Sequence, residues 1–554
     1  MPAGRRFQTP PRILIVWESR KLPVIISNIR LPLGAQEGEA LSAAKAELKK
    51  ISGPAGAEIN SAYIVKRSPD LRHRSSPAIV YTVGAELADF SAEEKLVLRA
   101  ASQSVTLRRR TQFSPAPGSE KPSGRPVIVG FGPAGMFAGL LLSHMGYAPI
   151  IIERGADVDT RVNDVAGFWR TGKLDCESNV QFGEGGAGTF SDGKLVTRIN
   201  DPLCDTVLKE FVAHGAPQSV MTAAKPHVGT DKLRLIVKSI RCDIIAHGGE
   251  VRFGEKLEGL KIKSGTITGA VLSGGVTLPA SAVILAVGHS ARDTFAMLAS
   301  SGVTLVPKPF SAGVRIEHLQ SDVDLSLYGA LAGHPNLPRG EYQLSHREGG
   351  RAVYTFCMCP GGSVVAAASE TGGVVTNGMS MSDRGGTNAN SALVTSIDAF
   401  AEPFEGIEFQ RKLEKAAFAA GGGDYRAPCQ TVGAFMEGTD TQKFGRVRPT
   451  YPAGTVPARF DRLLPEQMTA QLRKGIALFS RKLSCFGAPD ALLTGVETRT
   501  SSPVRIPRSA GFTAPGADGL YPAGEGAGYA GGIVSAAVDG LRAAAAVIER
   551  YSPK

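Results

Sequence analysis

Gly130, Gly132 and Gly135 follow the apolar run Val127-Ile128-Val129 with the spacing G-x-G-x-x-G, that of a turn holding a pyrophosphate. Gly130 permits the sharp turn out of the strand. Gly132 leaves room for the backbone to approach a phosphate, and Gly135 and Gly139 let the next helix pack closely on the strand. Pro133 and Ala134 take the first helical positions, where unpaired N–H groups and the positive end of the helix dipole favour an anion. Glu153 closes the next apolar run about 20 residues past the turn, where a carboxylate is expected to accept from a ribose hydroxyl. Arg154 and Arg161, just beyond it, are candidate partners for the same phosphates, with a solvated surface position as the other reading of Arg161.

A second glycine-rich stretch selects the dinucleotide. The strand-like Gly519-Leu-Tyr-Pro-Ala523 delivers Gly524 and Glu525, whose carboxylate is placed to accept from a ribitol hydroxyl. Gly531 and Gly532 then open a helical run at Ile533. The N–H groups of that helix end are placed to face flavin carbonyls and stabilise charge on a reduced ring. Between these motifs, Ala282-Val-Ile-Leu-Ala-Val-Gly288-His289 has the pattern of a strand and turn returning to the nucleotide. His289 reads as a hydrogen-bonding support there, with a catalytic base as the alternative. A dinucleotide gripped from both ends of the chain points to FAD. The further G-x-G-x-x-G matches, at 183–188 and 526–531, fall inside the other glycine-rich stretches expected at the flavin, so no separate nicotinamide domain is expected and NAD(P)H enters only as a transient electron donor.

Glu497, Arg499 and Arg505 stand together just ahead of the closing motif and are expected near the reactive ring. They would form an anion clamp, with Glu497 orienting substrate or exchanging a proton; a buried structural ion pair is the competing reading. On a regular strand Cys357 and Cys359 would share a face, about 6.5–7 Å apart at Cα with near-parallel Cβ vectors, so a disulfide needs a bend. Pro360-Gly361-Gly362 is placed to supply one; packing or pocket lining is the other reading. The C-x-x-x-x-C pair of flavin disulfide reductases is absent. No His/Cys grouping has ligand spacing, and no metal is expected.

These residues need a scaffold that returns to one place from distant parts of the chain. The expected class is α/β. A discontinuous Rossmann-like FAD-binding domain takes residues 126–308 and 494–554, with an inserted antiparallel-sheet α+β substrate domain at 309–493. A small N-terminal α/β domain (1–112) is joined by a Pro/Gly/Ser-rich linker (113–125). In the N-terminal part, residues 12–17, 59–66 and 78–83 read as strands. Residues 39–51 read as a helix with Leu41, Ala44 and Leu48 on one face. Alternation at 310–317, 352–358 and 363–368 predicts the inserted sheet, while 389–400 and 466–478 read as helices.

The chain has 554 residues, 43% hydrophobic and 20% charged, enough for several packed domains. Seven cysteines without paired spacing fit a reducing compartment. No stretch reaches the roughly 18 apolar residues of a membrane span, and the cytoplasm is the expected location. The net charge of +11, with no long Lys/Arg block, suits a small anionic substrate. RNA is the less favoured partner and stays open, as does a non-catalytic flavin-bound regulator.

The stretch Glu177-Ser-Asn-Val-Gln-Phe-Gly-Glu-Gly-Gly-Ala-Gly-Thr-Phe-Ser-Asp-Gly-Lys-Leu195 resembles the bacterial family of uncharacterised FAD-dependent dehydrogenases, which are NAD(P)/FAD-dependent oxidoreductases. So do Phe310-Ser-Ala-Gly-Val-Arg-Ile-Glu-His318, Phe356-Cys-Met-Cys-Pro-Gly-Gly362 and the stretches 495–505 and 521–533. In Lys66-Arg-Ser-Pro-Asp-Leu-Arg72, Pro69 and Leu71 depart from the pattern. The likeness covers nearly the whole chain. It implies an FAD-dependent oxidoreductase that moves a hydride between FAD and a small organic substrate it does not name. It also implies that Gly185, Gly186, Ala187, Gly188 and Thr189 pack near the FAD phosphates or ring. Leu257 falls where related flavoproteins make a backbone contact to adenine.

Overall fold

The computed structural model describes residues 23–53, 58–72, 76–88, 90–100, 104–108, 113–441 and 443–553. The strand expected at 12–17 lies outside them. The chain forms two compact units, one of residues 1–114, 200–226 and 330–338, the other of 115–199, 227–329 and 339–554.

In the first unit four antiparallel strands pair in the order Ile59–Asp70, Ala78–Leu87, Val24–Pro32, Val105–Leu107. The helix Glu37–Ser52 starts at a reciprocal cap between Gln36 and Glu39 and buries Ala40, Ala44 and Leu48, four residues apart. These pack with Val24, Ile26, Tyr81 and Val83 into one apolar core.

The second unit holds a parallel sheet in the order Leu520–Pro522, Val283–Leu285, Val127–Val129, Ile150–Glu153, Glu250–Phe253. Its three inner strands are wholly buried, which is why they read as unbroken apolar runs rather than alternating ones. The order sets the C-terminal strand two places from the strand that feeds the first glycine turn. The helices Pro133–His144 and Ile533–Arg550 cross closely, because a Cβ at Gly540 would overlap the Ala134 carbonyl. The Pro/Gly/Ser-rich stretch at 113–125 is tied along part of its length to the end of the last helix. Gly118 N–H donates to Ile548 O (2.8 Å), and Arg550 pairs with Glu120 (2.9 Å). Last-turn carbonyls lack intrahelical donors, and this extended segment supplies them.

A seven-stranded sheet follows, ordered Ser345–Glu348, Arg351–Cys359, Asn388–Ile397, Phe310–Leu319, Leu492–Glu497, Ala427–Thr431, Thr455–Pro457, antiparallel except for the last pair. The helix expected at 389–400 is instead the strand Asn388–Ile397. Ladders on both sides and burial of nearly its whole length override a sequence pattern compatible with either period. The strand Gly362–Ala366 pairs with Thr376–Ser380 in a separate two-stranded sheet. Helices Glu405–Ala420 and Glu466–Ser480 cover the large sheet through Leu413, Ala417, Leu472, Ile476 and Phe479. Among the described residues no helix is long and apolar enough to cross a membrane.

Candidate functional site

The strand Val127–Val129 ends at Gly130, whose φ of +97° suits only glycine. A Cβ at Gly135 would overlap the Gly130 carbonyl, so this helix can start here only with glycine. Gly132 differs. It has an ordinary φ of −78°, no side chain caps the helix it opens, and a Cβ would meet only Gly186 Cα, at 3.7 Å. The helix end therefore faces a narrow gap between two glycine-rich segments, with its first N–H groups lacking intrahelical acceptors.

Glu153 fixes both walls of that gap. Its buried carboxylate accepts from the N–H groups of Phe131 (2.8 Å), Gly155 (2.9 Å) and Gly183 (2.9 Å). With about four acceptor positions on a carboxylate, one is left for the ribose hydroxyl expected there. Arg161 corrects its expectation. It is fully buried and donates to the carbonyls of Asn179, Val180, Gly183, Glu184 and Gly186 at 2.7–3.2 Å, so it shapes the loop rather than meeting phosphate. The inward-turned carbonyls of residues 179–186 need a many-donor partner, and a guanidinium provides one. Arg154 lies over the Phe182 ring, its charge already matched by Glu177 (2.6 Å) and Asp293 (2.6 Å).

The other predicted segments close on the same place. Gly185 and Gly186 lead into the turn Ala187–Phe190, where the buried Thr189 hydroxyl donates to Glu184 O (3.1 Å). A Cβ at Gly188 would lie 3.2 Å from Ile533, one at Gly524 3.0 Å from Ala134 Cβ, and one at Gly526 2.5 Å from the Gly288 carbonyl. Gly524 N–H donates to Asp539 (2.7 Å), which Arg508 holds in two hydrogen bonds (2.6 and 2.9 Å). Leu257 opens the strand Leu257–Lys263 with its side chain in the adjoining core.

Glu525 is unlike these committed groups. Among the described residues nothing hydrogen-bonds its half-buried carboxylate. Burial pushes its pKa up to about 8, against the pull of Lys308 and with the help of nearby Cys357. Close by, Gly532 (φ +94°) opens the helix Ile533–Arg550 without a side-chain cap, a second free helix N-terminus. His289 is held neutral, its pKa lowered to about 3 by burial and by the cations Arg499 and Arg292. Its Nδ1 lies 3.0 Å from the Ser290 hydroxyl, which reaches Gln181 (3.1 Å). So weak a base does not suit proton abstraction near neutrality.

The expected cluster of Glu497, Arg499 and Arg505 is corrected: the three occupy separate surroundings. Glu497 is paired in two hydrogen bonds with buried Arg315 (3.0 and 2.9 Å) and accepts from Thr376 (3.2 Å). Arg499 joins Glu414 (3.1 Å) and Ser369, and Arg292 shares the same Glu414 (2.8 Å). Arg505 alone stays beside the closing motif, exposed, over Tyr529 and bonded to Gly528 O (3.3 Å). The strand Leu492–Glu497 ends between them, so alternation no longer keeps the three side chains on one face. Sequence reading missed Lys308 and Arg315, which lie far away in sequence. It also missed Asp539, although a carboxylate inside an Ala-rich helix was a visible signal. His144, Asp243 and His247 bring ligand atoms within 4.8 Å of one another, but each histidine already contacts Asp243 (3.2 and 3.0 Å).

Residues 309–500 match the family described as FAD-dependent protein, C-terminal domain-like. An uncharacterized protein of Clostridium beijerinckii is 44% identical over 538 residues, spanning 96% of this chain and 99% of its own length. The chain belongs to this family of uncharacterised FAD-dependent proteins. Its cofactor is FAD. Among solved structures, the flavin-dependent brominase Bmp2 is 12% identical with a TM-score of 0.36, covering 78% of this chain and 81% of its own. A geranylgeranyl bacteriochlorophyll reductase-like protein of Thermoplasma acidophilum is 14% identical with a TM-score of 0.34, covering 77% and 78%. Superpositions this loose carry no inference about site or substrate.

The residues of this FAD-dependent protein fit the cofactor. Two uncapped helix ends suit a diphosphate and an electron-rich ring, and the gap at Gly132 and Gly186 admits backbone contact. The unpartnered carboxylate of Glu525 is available to a hydroxyl.

Proposed function

We propose that the protein is an oxidoreductase acting on a small anionic organic molecule. FAD, when bound, supplies the two-electron chemistry, exchanged as a hydride with the substrate. The observation that carries this reading is Glu525: a carboxylate without a partner, beside an uncapped helix end and within electrostatic reach of Lys308. A structural carboxylate in this protein is tied down, as Glu153, Glu414 and Glu497 are, so an untied one signals a ligand.

The chain's own residues then divide the work. The N–H groups following Gly132 hold the diphosphate. Glu525 accepts from a ribityl hydroxyl and trades its raised pKa for that hydrogen bond. Gly531, Gly532 and Ile533 aim N–H groups at the ring carbonyls. Lys308, its pKa lowered by burial and by neighbouring Arg505, gives an anionic substrate a cation to approach. NAD(P)H fits as a donor that docks transiently, since the G-x-G-x-x-G matches beyond 130–135, at 183–188 and 526–531, lie in the stretches assigned to FAD.

Anaerobic mixing of the FAD-loaded protein with NADH, NADPH and a panel of small carboxylates tests this. Bleaching of the flavin absorbance by one of them, with a rate lowered in Lys308→Met, is expected. A flavin that no member of the panel reduces, in a protein that binds RNA with a steep salt dependence, would move the assignment to the nucleic-acid reading.

A further inference from the structure

Cys357 and Cys359 are both free, and the Cys359 thiol donates to the backbone carbonyl oxygen of Cys357 (3.4 Å). The strand Arg351–Cys359 is irregular at this point. Phe356 pairs with Ala392 and Cys359 with Asn390, so three residue steps face two. Cys357 lies within this bulge at φ +46°, the left-handed region that a side-chain-bearing residue rarely adopts. A regular strand would keep the two sulfurs parallel, about 6.5–7 Å apart at Cα. The bulge breaks that parallel arrangement, and it leaves the Cys359 sulfur 3.4 Å from the Cys357 carbonyl oxygen.

The two thiols differ. Cys357 is half-buried, and Cys359 is fully buried with its sulfur against Gly378. The neighbouring Cys359 thiol, with the charges of Arg315 and Lys194, holds the Cys357 thiol below its ordinary range. The neighbouring Cys357 and burial push Cys359 up. An outer thiolate backed by an inner protonated thiol is the arrangement of an exchanging pair. Cys357 also lies within electrostatic range of Glu525, in the motif expected at the flavin ring.

We propose that Cys357 and Cys359 are a redox-active dithiol that exchanges two electrons with FAD. This rests on the FAD-site reading above. In the step, the Cys359 S–H bond breaks and one S–S bond forms to the Cys357 thiolate. The two electrons and one proton released pass to oxidised flavin, which becomes the reduced anion. The reverse step reopens the disulfide. The pair is thus a second store of two electrons in the chain, and a dithiol or disulfide becomes the substrate class to which Cys357 gives access.

The test uses the full-length FAD-loaded protein equilibrated in glutathione buffers of graded poise, then acid-quenched, alkylated and mapped by mass spectrometry. Two of the seven thiols should lose alkylation together and reversibly, and they should map to Cys357 and Cys359. Separately, dithiol-reduced protein holding oxidised FAD, kept anaerobic, should lose flavin absorbance in step with one disulfide per flavin. Cys357→Ser and Cys359→Ser should each abolish both signals while keeping FAD uptake. Two thiols that stay alkylatable at every poise in a protein carrying FAD would overturn this proposal and leave the proposed function standing. So would a disulfide that forms without any flavin response. A protein that takes up no FAD would overturn both.

Discussion

Replacing Gly132 by alanine adds one methyl group at a position where the fold can accept it and the cofactor cannot. The backbone there has φ −78°, open to any residue, and the new Cβ would sit 3.7 Å from Gly186 Cα, an ordinary contact. Alanine is a poorer helix N-cap than glycine by up to roughly 1 kcal/mol, and the lost flexibility of the unfolded chain returns about 0.4–1 kcal/mol. Apoprotein stability should therefore change by no more than about 1 kcal/mol in either direction. In the proposed placement, however, the diphosphate approaches the first N–H groups of the helix past Gly132, and the methyl group would stand in its way. A hydrogen bond to a charged acceptor contributes about 1.5–3 kcal/mol. Losing two of them removes about 3 kcal/mol at the low end, a weakening of FAD affinity of roughly 100-fold or more. Titrating apoprotein with FAD and following flavin fluorescence measures the affinity, and thermal unfolding of the apoprotein supplies the control. An alanine variant with native unfolding and FAD affinity within twofold of the parent would refute the placement of the diphosphate. Gly135→Ala is the contrasting case, since its Cβ meets the Gly130 carbonyl and should damage the fold itself.

Further outcomes follow from the same geometry. Glu525 has a folded-state pKa of about 8 against an ordinary 4.5, so the folded apoprotein keeps a proton that the unfolded chain releases between those values. Its contribution to stability is present below about pH 4.5 and lost as pH rises through 8; Glu525→Gln should flatten that part of the unfolding-temperature profile, and an unchanged profile would count against the assignment. Glu497→Gln leaves Arg315 buried without its counter-charge and should cost about 3–5 kcal/mol in denaturant unfolding. Arg161→Lys exposes several loop carbonyls at about 1–3 kcal/mol each. It should make residues 179–186 sensitive to proteolysis, without the salt-dependent loss of FAD affinity that a phosphate-binding cation would show.

The sequence made the glycine turns and the helices they open legible because each demand there is local. A strand, a turn that only glycine can make and an uncapped helix leave a fixed spacing, and the parallel sheet that joins both ends of the chain follows from strands apolar on both faces. Side-chain partnerships were not legible in the same way. Glu497 meets Arg315 and Arg499 meets Glu414 across strands and helices far apart in sequence, so adjacency just ahead of the closing motif misled. Arg161 read as a phosphate ligand because its five buried acceptors come from a loop whose course sequence does not reveal. The strand Asn388–Ile397 read as a helix because its apolar residues satisfy both periods, and only the neighbouring strands decide. The bend between Cys357 and Cys359 was expected from Pro360-Gly361-Gly362, yet it lies at Cys357, three residues before Pro360, in a bulge set by pairing with Asn390 and Ala392.

The central claim is that two sequence-distant glycine turns grip one flavin without a covalent bond. Reconstitution of purified native protein with FAD, read by visible absorbance, tests it most directly. One FAD should be taken up per chain and released intact on denaturation. Protein that stays colourless at saturating FAD, while fully folded, would contradict the account.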